Sequence, residues 1–193
     1  MHLNRNSIII QSNSNQASST LRNHLTSLCL SFIAAPTKNI WSWVGITAVF
    51  GVTALGIGFS AGLYNVQLLD MQRYWYIPIL LLLFPCIPEE VFFRGLLIPR
   101  DVADCHRSKW AAYSIFSASI FTLSRPMYAL IIDPKVNPFF LNLNFLLIVF
   151  LLGITCSLVY ILSRSIWVPV IIHWLTALVW LLFLGGGSLA LAR

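Results

Sequence analysis

Residues Trp43 to Leu63 run for 21 positions without a single charge. A helix of that length crosses a hydrocarbon core of about 30 Å, and Trp41, Trp43 and Tyr64 near its ends are suited to the membrane interface. Four more apolar runs follow: Trp75 to Ile98, Trp110 to Ser124, Phe139 to Leu162 and Ile166 to Leu184. The last two are joined only by Ser163-Arg164-Ser165, so they read as an antiparallel helical hairpin. Composition agrees, since 58% of the 193 residues are apolar and 9% are charged. Soluble domains carry about 25% charged residues, and a soluble domain, a disordered chain and a disulfide scaffold are all excluded. The expected fold is all-α, a polytopic transmembrane bundle of about five spanning helices over 41–193, integral to the membrane and multi-pass.

Residues 1–40 precede it as a polar tail and a short apolar segment. Positions 1–24 are rich in Asn, Ser and Gln, a composition that cannot bury a core. Leu25 to Ala35, closed by Pro36, is too short to span and reads as an interfacial helix. The net charge of +6 is scattered as single Lys and Arg residues, which argues against nucleic acid as a partner and leaves the lipid bilayer. Arg5, Arg22, Lys38, Arg100, Arg107, Lys109 and Arg164 fall on one side of the five crossings. Arg73, Lys135, Arg193 and, on one reading, Arg125 fall on the other, so the positive-inside rule puts the N-terminus in the cytoplasm. Cys29, Cys86, Cys105 and Cys156 have no paired metal-ligand spacing.

The second run carries Glu89, Glu90 and Arg94 at membrane depth. Insertion scales assign about 2.5 to 3.5 kcal/mol to one central Asp, Lys or Arg, so an unpaired trio costs on the order of 8 kcal/mol. Glu90 and Arg94 are four apart and share a helix face, where they can form an ion pair. Glu89 points about 100° from Glu90 and has no partner on its own helix, which leaves its carboxylate for a metal, a water or a proton. Pro88 fits the first position of a new helical segment, with both glutamates in its first turn. A helix broken at membrane depth lines a cavity.

His173 is a lone imidazole in the apolar run Val168 to Leu184. It lies 9 residues from Arg164, and Glu89 lies 11 from Arg100. At about 1.5 Å per residue both sit roughly 15 Å from the same face and can meet. Two carboxylates and an imidazole at one depth form a partial metal site or a general-base set. A proton or ion relay is another use of such groups, although no internal repeat suggests a transporter.

Pro88-Glu89-Glu90-Val91-Phe92-Phe93-Arg94-Gly95 resembles the EExxxR signature of the CPBP (Abi) family, the CAAX prenyl protease and bacteriocin-processing intramembrane endopeptidases. Trp167-Val168-Pro169-Val170-Ile171-Ile172-His173-Trp174 resembles its third motif, and Phe121-Thr122-Leu123-Ser124-Arg125-Pro126 stands where its FxxxH motif belongs. The resemblance covers roughly 75–185. It implies a metal-dependent endopeptidase that cuts a membrane-associated peptide or prenylated-type protein with a Glu-activated water. Glu89 is then the base, Glu90 and Arg94 a supporting pair, and His173 a histidine of the site. Glu89 and His173 become candidate ligands of Zn²⁺.

Two positions depart from the family pattern. Arg125 replaces the second-motif His, and Ala177 stands where an Asn would help to stabilise the oxyanion. A guanidinium is neither a metal ligand nor a base. Arg125 either faces Glu89 or, 16 residues from Lys109 and so about 24 Å along a helix, reaches the opposite interface. Thr176, three residues after His173, is a candidate replacement donor. The alternative function is a catalytically impaired member, a membrane binding scaffold in which Arg125 closes an ionic network on Glu89.

Overall fold

The computed structural model describes residues 22, 25–37, 39–70, 72–132 and 138–187. The polar tail apart from Arg22 thus lies outside the described residues, as do Lys38, Lys135 and Arg193. Every described element is helical, apart from one isolated parallel bridge between Gln67 and Leu184.

Helix α1 spans Ile40–Ser60, three residues ahead of the expected start. It stops where Gly62 takes a φ of +65°, a conformation easy for glycine, and where the Gly62 and Leu63 amides fold back to the Phe59 and Gly58 carbonyls. Asn39 precedes it and ties the turn to the bundle through its side-chain amide, which donates to the Leu162 carbonyl at 3.1 Å.

The second apolar run folds as a helix broken once. Helix α2 (Ile77–Leu81) passes through π-type turns at Leu82–Cys86 into α3 (Ile87–Glu90), which continues as π-type turns over Val91–Leu96. The break falls at Phe84, the one extended residue in the π-type turns, so the helix resumes at Pro85 and not at the expected Pro88. Pro85 explains the shift, because proline disfavours helical geometry in the residue before it. Both glutamates still occupy the first turn of α3.

Helix α4 spans Arg107–Ile132 and runs 26 residues, well past the expected end at Ser124. Arg125 and Pro126 lie inside it, and Arg125 finds a carboxylate partner in Glu89. The expected hairpin is present as α5 (Leu143–Ser163) and α6 (Trp167–Phe183). Helix α5 begins at Leu143 instead of Phe139. Asn142 caps it, its side-chain oxygen accepting the amides of Asn144 at 2.9 Å and Phe145 at 3.4 Å. Arg164, left-handed at φ 57°, turns the chain into α6.

Among the described residues two helices, α1 and α5, each of 21 residues, are long and apolar enough to cross a membrane, and α6 is shorter at 17. In α5 56% of the most apolar stretch is buried against 11% in α1, so α5 is the central helix and α1 an outer one. Helices α1, α4 and α6 all pack on α5. Helix α4 comes close at Gly153, where an added Cβ would stand 2.8 Å from the Ala118 Cβ. Arg164 pairs with Asp104, so it shares one end of the bundle with the turn Arg100–Asp104. The loop carrying Arg73 is at the other end, where Asn65, Gln67 and Leu69 bond the backbone at 182–184. The segment expected at the interface is helical over 25–33 and packs on the α5 to α6 turn. Its Ser31 carbonyl accepts from the Ile166 amide at 3.1 Å, and its Phe32 carbonyl accepts from the Trp167 indole at 3.0 Å.

Candidate active site

The adjacent glutamates of α3 lead to two different ion pairs. Glu90 pairs with Arg94 along the helix, Nη1 donating to Oε1 at 3.0 Å, with both side chains fully buried. The second arm of the guanidinium donates to the Gly153 carbonyl at 3.0 Å, so α3 and α5 are joined at the point where glycine lets α4 come near. Ser117 of α4 completes the junction by donating to the Phe93 carbonyl at 2.8 Å. Gly153 and Ser117 were not singled out by sequence; a glycine inside an apolar run is the signal that marks close helix packing.

Glu90 also holds His173. The imidazole Nδ1 lies 2.9 Å from Glu90 Oε1 and the side chain is almost wholly buried. A carboxylate only accepts, so Nδ1 carries the proton, and in the neutral ring Nε2 is the acceptor. Nε2 lies on the side of Glu89, 3.9 Å from Glu89 Oε2. The separation exceeds a direct hydrogen bond and suits one water donating to both atoms. The match in depth expected from the sequence is thus a meeting in space. Trp174, the next residue, fixes α6 by donating from its indole to the Pro78 carbonyl at 2.8 Å.

Glu89 pairs with Arg125 of α4, and each side chain keeps 22% of its surface exposed. This decides the question left open by sequence: Arg125 turns to Glu89 and not to the opposite interface. Its Cζ stands 4.5 Å from the centre of the Phe121 ring, and the Arg94 Cζ stands 4.7 Å from the same ring. A cation over an aromatic face is favourable, most so where water is scarce. Phe121 also meets His173 edge-on at 5.5 Å between centroids and Phe93 at 5.2 Å. It is the aromatic wall common to both arginines and the histidine. Thr176 is not brought to this group as a donor, since its hydroxyl donates to the Ile172 carbonyl of its own helix at 2.8 Å. Ala177 carries no polar atom to contribute.

A catalytic zinc centre takes three protein ligands and keeps one position open. Glu89 and His173 supply two candidate atoms, Glu90 is committed to Arg94 and His173, and a guanidinium stands against Glu89. Among the described residues no three His, Cys, Asp or Glu are placed to hold an ion. As arranged, this donor set does not fit zinc.

The comparisons with known proteins complete the picture. No curated protein and no solved structure matches the chain. A family profile, type II CAAX prenyl endopeptidase Rce1-like, matches residues 71–179, the stretch that holds Glu89, Glu90, Arg94, Arg125 and His173. The match extends over more than half of the sequence and agrees with the resemblance carried by the motifs, so the chain belongs to the Rce1-like family of CAAX-type intramembrane proteases.

Proposed function

We propose that this protein is an intramembrane endopeptidase that hydrolyses a peptide bond of a membrane-associated, prenylated-type substrate with a water activated by Glu89. The observation that carries this reading is the facing of Glu89 Oε2 and His173 Nε2 at 3.9 Å, with Glu90 fixing the imidazole from behind. A water that donates one proton to each acceptor keeps a lone pair free to attack a carbonyl. Glu89 takes the proton as the C–O bond forms and delivers it to the departing nitrogen, the usual work of a general base that becomes a general acid. His173 orients the water, Glu90 and Arg94 hold His173 in position, and the partly open Glu89 is the group that substrate can reach.

The same reading places the chain in the membrane as a five-pass protein, crossing by α1, the broken helix Ile77–Leu96, α4, α5 and α6, with the N-terminus in the cytoplasm. Its support is the sorting of charge by end: Arg100 to Lys109 and Arg164 gather at one end of the bundle and Arg73 at the other. A farnesylated peptide ending in a CAAX sequence, incubated with the detergent-purified protein and analysed by mass spectrometry, tests the activity. Cleavage that is absent in Glu89→Gln supports the reading. Equal cleavage by Glu89→Gln overturns it.

The pairing of Glu89 with Arg125 favours a second reading, an impaired enzyme that binds membrane partners through the same opening. An Arg125→His variant that cuts the peptide while the wild type does not would establish it. Zinc is tested separately by metal content. About one Zn²⁺ per chain, lost in Glu89→Ala and in His173→Ala, would show that a third ligand is recruited.

A further inference from the structure

Hydrolysis by an activated water drives negative charge onto the substrate carbonyl oxygen, and a donor must meet it there. The other side-chain donors of these helices are bonded elsewhere or buried. The Thr176 hydroxyl bonds Ile172, the Trp174 indole bonds Pro78, the Ser117 hydroxyl bonds Phe93, and Arg94 is fully buried on Glu90 and Gly153. Arg125 differs from all of them. It touches Glu89, keeps 22% of its side chain exposed, and among the described residues engages a hydrogen-bond partner only through Nη2. A guanidinium has five N–H donors, so most of its capacity remains for a substrate. The Phe121 ring at 4.5 Å from Cζ holds it in place while leaving those edges available.

We propose that Arg125 is the oxyanion-stabilising group of this site, reading the scissile carbonyl oxygen with the N–H groups that Glu89 does not use. The inference rests on the hydrolytic function proposed above. Water attacks the carbonyl carbon, its proton passes to Glu89, and the C=O π pair moves onto oxygen. Glu89 becomes neutral in the same step in which the oxyanion forms, so the guanidinium exchanges one anionic partner for another and the site's net charge stays constant. When the intermediate collapses the C=O bond re-forms, the C–N bond breaks, and the proton moves from Glu89 to the leaving nitrogen. The ionised Glu89 then takes Arg125 back. The pair that looks like an inhibitory clamp is on this account the resting half of the cycle.

The test compares wild type, Arg125→Ala, Arg125→Lys and Glu89→Gln on the farnesylated CAAX peptide in detergent, with kcat and KM separated. Arg125→Ala is expected to lower kcat by about 10² to 10³-fold with KM changed only a few-fold. Arg125→Lys should retain part of the rate. Added guanidinium at non-denaturing concentration should restore turnover to Arg125→Ala but not to Glu89→Gln, a rescue that also shows the variant is folded. An Arg125→Ala variant as fast as wild type or faster overturns the proposal, as does an effect confined to KM or an Arg125→Ala deficit that guanidinium leaves untouched. Inactivity of the wild type overturns the hydrolytic reading and this inference with it, whereas a fast Arg125→Ala overturns this inference alone.

Discussion

Glu89 and Glu90 are neighbours in one turn, each bound to an arginine, and they differ in almost everything else. The Glu90 pair is fully buried, is closed within a single helix and leads to His173 and Gly153. The Glu89 pair joins α3 to α4 across 36 residues of sequence and stays partly open. A sealed ion pair offsets its own desolvation only if both partners stay, so it serves as architecture. A partly exposed one is less completely desolvated and can be rearranged, which suits chemistry. On the proposed function, burial, more than residue type, separates the structural carboxylate from the reactive one.

Removing one arginine from each pair is the strongest way to break this comparison. Arg94→Ala leaves Glu90 charged and enclosed, a loss of about 3 to 5 kcal/mol. For a chain of this length that lowers the unfolding temperature in detergent by roughly 10 °C. Arg125→Ala leaves Glu89 partly open to water, not enclosed, and should lower the unfolding temperature by less than Arg94→Ala does. Equal destabilisation by the two variants would erase the distinction. On the catalytic side, Glu89→Gln keeps the shape but not the base. It is expected to reduce kcat by about 10² to 10⁴-fold with its unfolding temperature nearly unchanged.

Smaller effects sharpen the picture. Gly153→Ala drives a methyl to within 2.9 Å of the Ala118 Cα, a backbone atom that cannot step aside, and should cost about 1 to 3 kcal/mol as α4 moves off α5. Because α4 carries Phe121 and Arg125, the same variant should slow cleavage, measured beside its thermal unfolding. Ser117→Ala removes the hydroxyl bonded to the Phe93 carbonyl and is expected to lose about 1 kcal/mol in the same unfolding assay.

Periodicity carried the Glu90 to Arg94 contact, because four residues of helix settle it locally. Depth counting carried the approach of His173 to Glu89, since both helices could be measured from charged residues that share one end of the bundle. The hairpin of α5 and α6 followed from two apolar runs with almost no link between them. Arg125 was not decided this way. Its direction depends on how far α4 continues and how that helix is rotated against α5, and the contact of Ala118 with Gly153 that sets the rotation is tertiary. For Thr176 the local geometry decides where the hydroxyl rests: inside a helix it can bond the carbonyl four residues back, and this one does. The helix break moved to Phe84 because two prolines stand three residues apart and composition does not rank them.

The central claim is that Glu89 activates water against a peptide bond. Cleavage of the farnesylated CAAX peptide in heavy-oxygen water tests it most directly, with wild type and Glu89→Gln compared in a single turnover. The account predicts one solvent oxygen in the new carboxylate of the wild-type product and at least about 10²-fold less product from Glu89→Gln. Solvent oxygen entering equally fast with Glu89→Gln, or cleavage without solvent oxygen, would contradict it.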